Sequence, residues 1–335
     1  MSDIFKLFFC IFFLFLSCKK EKKKFTNKSS QNIESRIVKG TLAAVDSLNL
    51  SKFQLYDVRN IRQNTSQLFI SGEKKIVAIT KDNFSDYKTF HIAKGKGPQE
   101  ILQLQSFDVV DSLLVVLDER QNKVLTYKPP GEFIEEHTFK KLMPHQIRIV
   151  NSNSYVLFSP MVGMKYIFNL VNVNNGTVHH FENVPSEHNP MLYEGIIEIQ
   201  NSNLYYAGYS EPLLKKYSSE GELVYSVAII DNFNTEANYL KSKGETMLGY
   251  APGAQFSTVD FDISGKHILA ISYGFDNEPN NIVDVYEELT GKYIRSLKGL
   301  KPKTIALSSD ENHIYGISIT QGKYILTLYK NSILM

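Results

Sequence analysis

A six-bladed β-propeller of four-stranded antiparallel blades is the fold this sequence predicts. Three observations predict it: β-rich runs with almost no helical periodicity, a hairpin recurring at a fixed spacing, and a chain end too short to finish its last unit.

The runs begin near Gln54. Leu113–Leu117, Tyr155–Phe158, Leu204–Ala207 and Ile268–Ile271 are rich in Val, Ile, Leu, Tyr and Phe, which suit pleated, half-buried positions, and turn residues separate them. Only Glu236–Lys243 has a mild helical pattern.

The hairpin appears as VLTYKPPGEFIEE around Gly131, NLVNVNNGTVHHF around Gly176, LKKYSSEGELVYSV around Gly221 and VDVYEELTGKYIRSL around Gly291. Glycine supplies the positive φ that such turns demand. The first three glycines are 45 residues apart, and the last follows after 70. The excess of about 25 residues matches Asp231–Ala254, which reads as a loop insertion. One step back from Gly131 reaches Asp86, inside another strand–turn–strand, and one step forward from Gly291 reaches Asn331. Six units result, and a period of roughly 40–50 residues with several strands per unit marks a propeller.

Closure follows from the chain ends. Only Ser332–Met335 remain after the sixth turn, too few for an outer strand, whereas Arg36–Val45 is β-compatible. The expected solution is that Arg36–Val45 completes the last blade as an N-terminal closing strand, leaving no exposed edge.

The first 33 residues carry a different message. Lys6, the apolar run Leu7–Ser17 and then Cys18 have the layout of a secretory signal with a lipid-accepting cysteine, and Phe15-Leu16-Ser17-Cys18 resembles the bacterial lipobox. The run is about half of the roughly 20 residues that a membrane-spanning helix needs. Residues 1–17 are therefore expected to be a lipoprotein signal peptide, Cys18 the lipid attachment site and residues 18–33 a flexible basic tether, with the propeller over 34–335. Cleavage removes Cys10 and lipidation consumes Cys18, so the folded part has no thiol for a disulfide, a nucleophile or a thiolate metal site.

The charge of +2 is divided unevenly. Asp3 and Lys6 cancel, six lysines against Glu21 give the tether +5, and the chain from Glu34 on carries −3. A weakly acidic domain lacks the clustered basic footprint of a nucleic-acid surface.

Within residues 69–134 the chain reads HIAKGKGPQEILQLQSFDVVDSLLVVLDERQNKVLTYKPPGEFI around Gly95. Gly95, Gly97, Pro98 and Glu100 form a Gly-x-Gly-Pro-x-Glu turn, followed by Asp118 and Tyr127. In this it resembles the TolB-like six-bladed propeller lipoproteins of Gram-negative bacteria. The resemblance implies a six-bladed propeller behind a lipid anchor and no particular activity.

Candidate chemistry is sparse. In Lys94–Glu100 two glycines can form an anion-binding backbone concavity beside Lys94 and Lys96, or simply a rigid inter-blade turn with Glu100 bonded to neighbouring backbone. The eight histidines include no metal-ligand spacing, and His179 and His180, adjacent in a strand, point to opposite faces. Asp108, Asp118, Asp260 and Asp262 fall near strand ends, where they either hold Ca²⁺ or another divalent ion in a channel or accept turn N–H groups. No Gly-x-Ser-x-Gly elbow is present. Tyr239 and Tyr250, in the insertion, are candidate partner contacts.

The expected function is that of a monomeric, lipid-anchored module, with no cofactor, that binds an envelope protein, peptide or glycan through one loop-bearing face. Its place is the cell envelope, on the outer membrane. The competing reading is a metal-dependent hydrolase or lyase with its site in the central channel.

Overall fold

A computed structural model describes residues 28–29 and 36–330, except 82–83, 130, 162, 185–189, 232–238, 243–244, 273, 276–277 and 280–281. It is an all-β ring of six blades, and among the described residues there is no α-helix. Blade one comprises Ile61–Gln63, Gln67–Ser71, Lys75–Thr80 and Tyr87–His91, ordered from the channel outward. The innermost strands of blades two to six are Ser106–Val110, Gln146–Asn151, Gly195–Gln200, Thr258–Ser264 and Thr304–Ser309. Each is in contact with the next around the ring, and the sixth with the first.

Six apolar clusters hold the ring, each filling the space between two consecutive blades. Leu68 and Ile70 of blade one face Ile317 and Leu326 of blade six, whereas Phe69 between them faces Phe107 and Leu125 of blade two. Successive side chains on a strand point to opposite faces, so both faces of a blade's middle strands are buried. That is why these segments read as unbroken apolar runs.

The four turn glycines lie where the repeat requires. Each sits between the third and outer strands of its blade, at φ +152° (Gly131), +67° (Gly176), +78° (Gly221) and +69° (Gly291).

The N-terminal chain closes the ring, with different boundaries from those expected. Ala44–Asn49 pairs antiparallel with Lys323–Lys330 as the outer strand of blade six. Val38–Thr41, in the middle of the expected closing strand, pairs instead in parallel with the outer strand of blade five. The cause is Arg36, whose guanidinium contacts Asp284 at 2.7 Å and Asp231 at 2.6 Å, pinning this part of the chain to blade five. Buried Leu42 then plugs the seam between blades five and six. Lys28–Ser29 pairs with Ser226 and Val227 of blade four. The helical pattern at Glu236–Lys243 is also corrected: Tyr239–Ser242 is a strand, paired in a hairpin with Glu245–Tyr250. Its alternating Tyr, Lys and Ser residues suit a two-stranded ribbon as well as a helix face.

Candidate functional site

Alternate side chains of each innermost strand point into the channel, and blades one to five place charge there: Arg62, Asp108, Arg148, Glu198, Asp260 and Asp262, all buried or nearly so. Two guanidiniums thus face four carboxylates in a largely buried space, where an unpaired charge is costly.

Glu198 is the hub. Arg148 of the adjacent blade donates to it through Nε (3.1 Å) and Nη2 (3.0 Å), and Arg62 reaches it at 2.9 Å through its own Nη2. Arg62 Nε stands 3.7 Å from Asp108. The three aspartates also knit adjacent blades together. Asp108 accepts the Ile149 N–H at 2.7 Å, Asp260 the Leu307 N–H at 2.8 Å and Asp262 the Ser309 N–H at 2.5 Å. Burial pushes Asp108 and Asp262 up to about 7 and Asp260 up to about 8, with Arg62 pulling the other way and Glu198 adding to the rise. Burial likewise raises Glu198 against the pull of Arg62. Carboxyls held near neutrality relieve the excess of acid over base. Among the described residues no three His, Cys, Asp or Glu side chains converge to hold a metal ion.

Above this layer, where the innermost strands begin, the channel opens into a cavity of about 190 Å³. Every blade contributes to its wall: Asn60, Gln105, Gln146, Tyr209, Asp260 and Ile305 come from blades one to six in order. Arg148 and Asp260 belong to both the cavity and the charged layer, so the ion-paired layer forms its floor.

A second cavity of about 350 Å³ opens at the same end between blades one and two, lined by Asp57, Arg59, Glu73, Lys94, Gln103 and Arg120 among others. Arg59 borders both cavities and stands between them.

The Lys94–Glu100 turn borders the second cavity through Lys94. Its glycine concavity is filled by its own Glu100, whose carboxylate accepts the Gly97 N–H at 2.7 Å and occupies the space where a Gly95 side chain would lie. The Lys123 ammonium donates to the Gly97 carbonyl at 3.1 Å. Asp118, fully buried, accepts from the Leu102 N–H (2.6 Å), the Arg120 N–H (3.0 Å) and Gln121 Nε2 (2.6 Å). Glu100 and Asp118 therefore act as internal acceptors that make the turn rigid.

Residues 51–304 match the DUF5128 family of six-bladed β-propellers. The chain belongs to that family. No curated protein matches it. Among solved structures it is similar to a member of the DUF4221 family from Bacteroides vulgatus (TM-score 0.58, 14% identity, covering 86% of this chain and 97% of that one). It is also similar to a Bacteroides fragilis protein described as exported (TM-score 0.52, 12% identity, 88% and 94%). A third likeness is to the Swd1 propeller domain from Myceliophteria thermophila (TM-score 0.51, 10% identity, 87% and 100%). At these identities the likenesses establish the fold.

Of the residues singled out in the sequence of this DUF5128 member, Lys94 lines the larger cavity, whereas Lys96 is exposed in the same turn and does not line it. Tyr250 ends the insertion hairpin, directly opposite Tyr239 in register. Its hydroxyl donates to Glu194 at 2.6 Å and its ring meets Phe256, which in turn meets Tyr209 at the channel mouth. The insertion is thus tethered beside the mouth. His179 and His180 have separate partners, the Glu220 carbonyl and Asn169. Cys18 lies outside the described residues. Arg62, Arg148 and Glu198 escaped the sequence reading. Their only signal is a charged residue in the middle of an otherwise apolar innermost strand.

Proposed function

We propose that this propeller is a lipid-anchored module of the cell envelope that binds a partner protein, peptide or glycan through the end of the ring bearing the two cavities. One observation carries the reading. The mouth is a cup walled by all six blades and closed below by the Arg62–Glu198–Arg148 bridge, so a partner enters from one end only. Tyr250, at the end of the blade four–five insertion, sits at this same end, and loops carry recognition. The aspartates that a channel metal would use are already bonded to neighbouring strands, which favours binding over metal-assisted hydrolysis, and the reading needs no cofactor.

Residues 1–17 then serve as signal peptide, Cys18 carries the lipid and the lysines of 19–28 add attraction to anionic headgroups on the outer membrane. Kinship with the TolB-like lipoproteins, through Gly95, Gly97, Pro98, Glu100, Asp118 and Tyr127, belongs to the same reading. Membrane fractionation tests the anchor. Cys18→Ala is expected to leave the membrane fraction or to accumulate unprocessed, and an unmodified Cys18 in the mature membrane-bound protein would overturn it.

A further inference from the structure

The larger cavity has an unusual charge balance. Its two acids are engaged, Asp57 with Arg59 at 2.5 Å and Glu73 with Lys74 at 3.3 Å. Its other two cations are not: among the described residues neither the Lys94 ammonium nor the Arg120 guanidinium has a carboxylate partner. Two uncompensated cations therefore share one concave site on a domain whose own charge from Glu34 onward is −3. Their placement is fixed. Arg120 follows Asp118, which accepts the Arg120 N–H, and Lys94 opens the turn held by Glu100, Gln121 and Lys123. It is the backbone that is fixed; the exposed ammonium and guanidinium keep rotamer freedom that binding has to order.

We propose that this cleft between blades one and two binds acidic side chains of an extended partner peptide, with Lys94 and Arg120 as the carboxylate contacts. The inference rests on the binding face proposed above and specifies its chemistry. The size of the cavity favours a carboxylate-bearing peptide over a phosphate, because it is several times what one phosphate fills. Beyond Arg59, Asn60 at the channel mouth offers a side-chain amide that can pair with the N–H and C=O groups of an extended backbone. Nearly 350 Å³ accommodates one or two acidic side chains rather than a folded surface.

Fluorescence anisotropy with a labelled hexaglutamate peptide tests this on the mature protein, with hexaglutamine and inorganic phosphate as comparison probes. The expected result is saturable binding of hexaglutamate that weakens with added salt, no binding of hexaglutamine and no displacement by millimolar phosphate. The paired substitution Lys94→Gln with Arg120→Gln should weaken binding at least about tenfold, as loss of two charge contacts requires. Lys266→Gln, at the opposite end of the ring, should leave it unchanged. Equal binding of hexaglutamine, displacement by phosphate, or full binding by the paired variant overturns the proposal. Should hexaglutamate fail to bind while partners still crosslink at the cavity-bearing end, the acidic-peptide chemistry falls and the binding face stands.

Discussion

Arg62 on blade one and Glu198 on blade four, opposite members of a ring of six, meet at 2.9 Å across the channel. With Arg148, which grips the same carboxylate from blade three, they close the centre of the propeller and turn an open bore into a cup. Removing one partner of a buried pair strands the other charge, at a cost of about 3–5 kcal/mol. Glu198→Ala is therefore expected to lower unfolding stability in urea by about 3 kcal/mol or more, because it removes the carboxylate that two guanidiniums share and leaves Arg62 with Asp108 at 3.7 Å. Loss of less than about 1 kcal/mol would mean that water already reaches the pair.

The channel aspartates give stability a distinct pH dependence. Their folded values, about 7 for Asp108 and Asp262 and about 8 for Asp260, lie above those of the unfolded chain, so the folded state holds more protons between about pH 4 and 8. Their stabilising contribution is complete below pH 4 and is lost as pH rises through 7 to 8. Melting temperature should fall by several degrees between pH 5.5 and pH 8.5, roughly the effect of 1–2 kcal/mol. Asp260→Asn, neutral at every pH and still able to accept the Leu307 N–H, should flatten that slope. An unchanged slope contradicts the assignment.

The turn that borders the second cavity depends on Asp118. Asp118→Ala leaves the Leu102 and Arg120 N–H groups and the Gln121 amide without their acceptor, at a cost of about 2–4 kcal/mol. Faster amide hydrogen exchange should be confined to residues 94–104 and 118–122. Exchange unchanged in both segments would show that the turn is held by other contacts.

Truncations separate the roles of the N-terminal chain. Starting at Glu34 should cost less than about 1 kcal/mol, since among the described residues it removes just the two-residue pairing of Lys28–Ser29. Starting at Ala43 removes the Arg36 ion pairs, the strand on blade five and buried Leu42, about 3 kcal/mol. Starting at Leu50 removes Ala44–Asn49 and opens the ring, so the loss should exceed about 4 kcal/mol. Equal stability of the last two truncations would show that Ala44–Asn49 does not close the ring.

The architecture was legible because its local signals repeat. Gly131, Gly176, Gly221 and Gly291 each mark the same hairpin, and the surplus between the last two located the insertion in the chain, while its place beside the channel mouth rests on the contacts of Tyr250 and Phe256. The closing strand was legible only in kind. Val38–Thr41 and Ala44–Asn49 are both β-compatible, and what assigns them to different blades is Arg36 meeting Asp231 and Asp284, partners nearly 200 and 250 residues away. The charged layer was hidden for the same reason. Arg62, Arg148 and Glu198 each read as one polar residue in a strand, and only ring closure brings them together. The Gly95–Gly97 concavity was visible, but that Glu100 fills it depends on side-chain placement which spacing does not determine.

The central claim is that partners bind at the end of the ring carrying the two cavities. A photocrosslinking phenylalanine at Tyr56, an exposed ring whose carbonyl accepts the Glu73 N–H beside the larger cavity, reports on that end. The same probe at Asn153 or Asn201, in the turns at the opposite end, reports on the other. With the full-length protein irradiated in intact cells, the account predicts discrete adducts from Tyr56 that diminish in the Lys94→Gln, Arg120→Gln background, and none from Asn153 or Asn201. Adducts of equal yield from both ends, or from the opposite end alone, would contradict it.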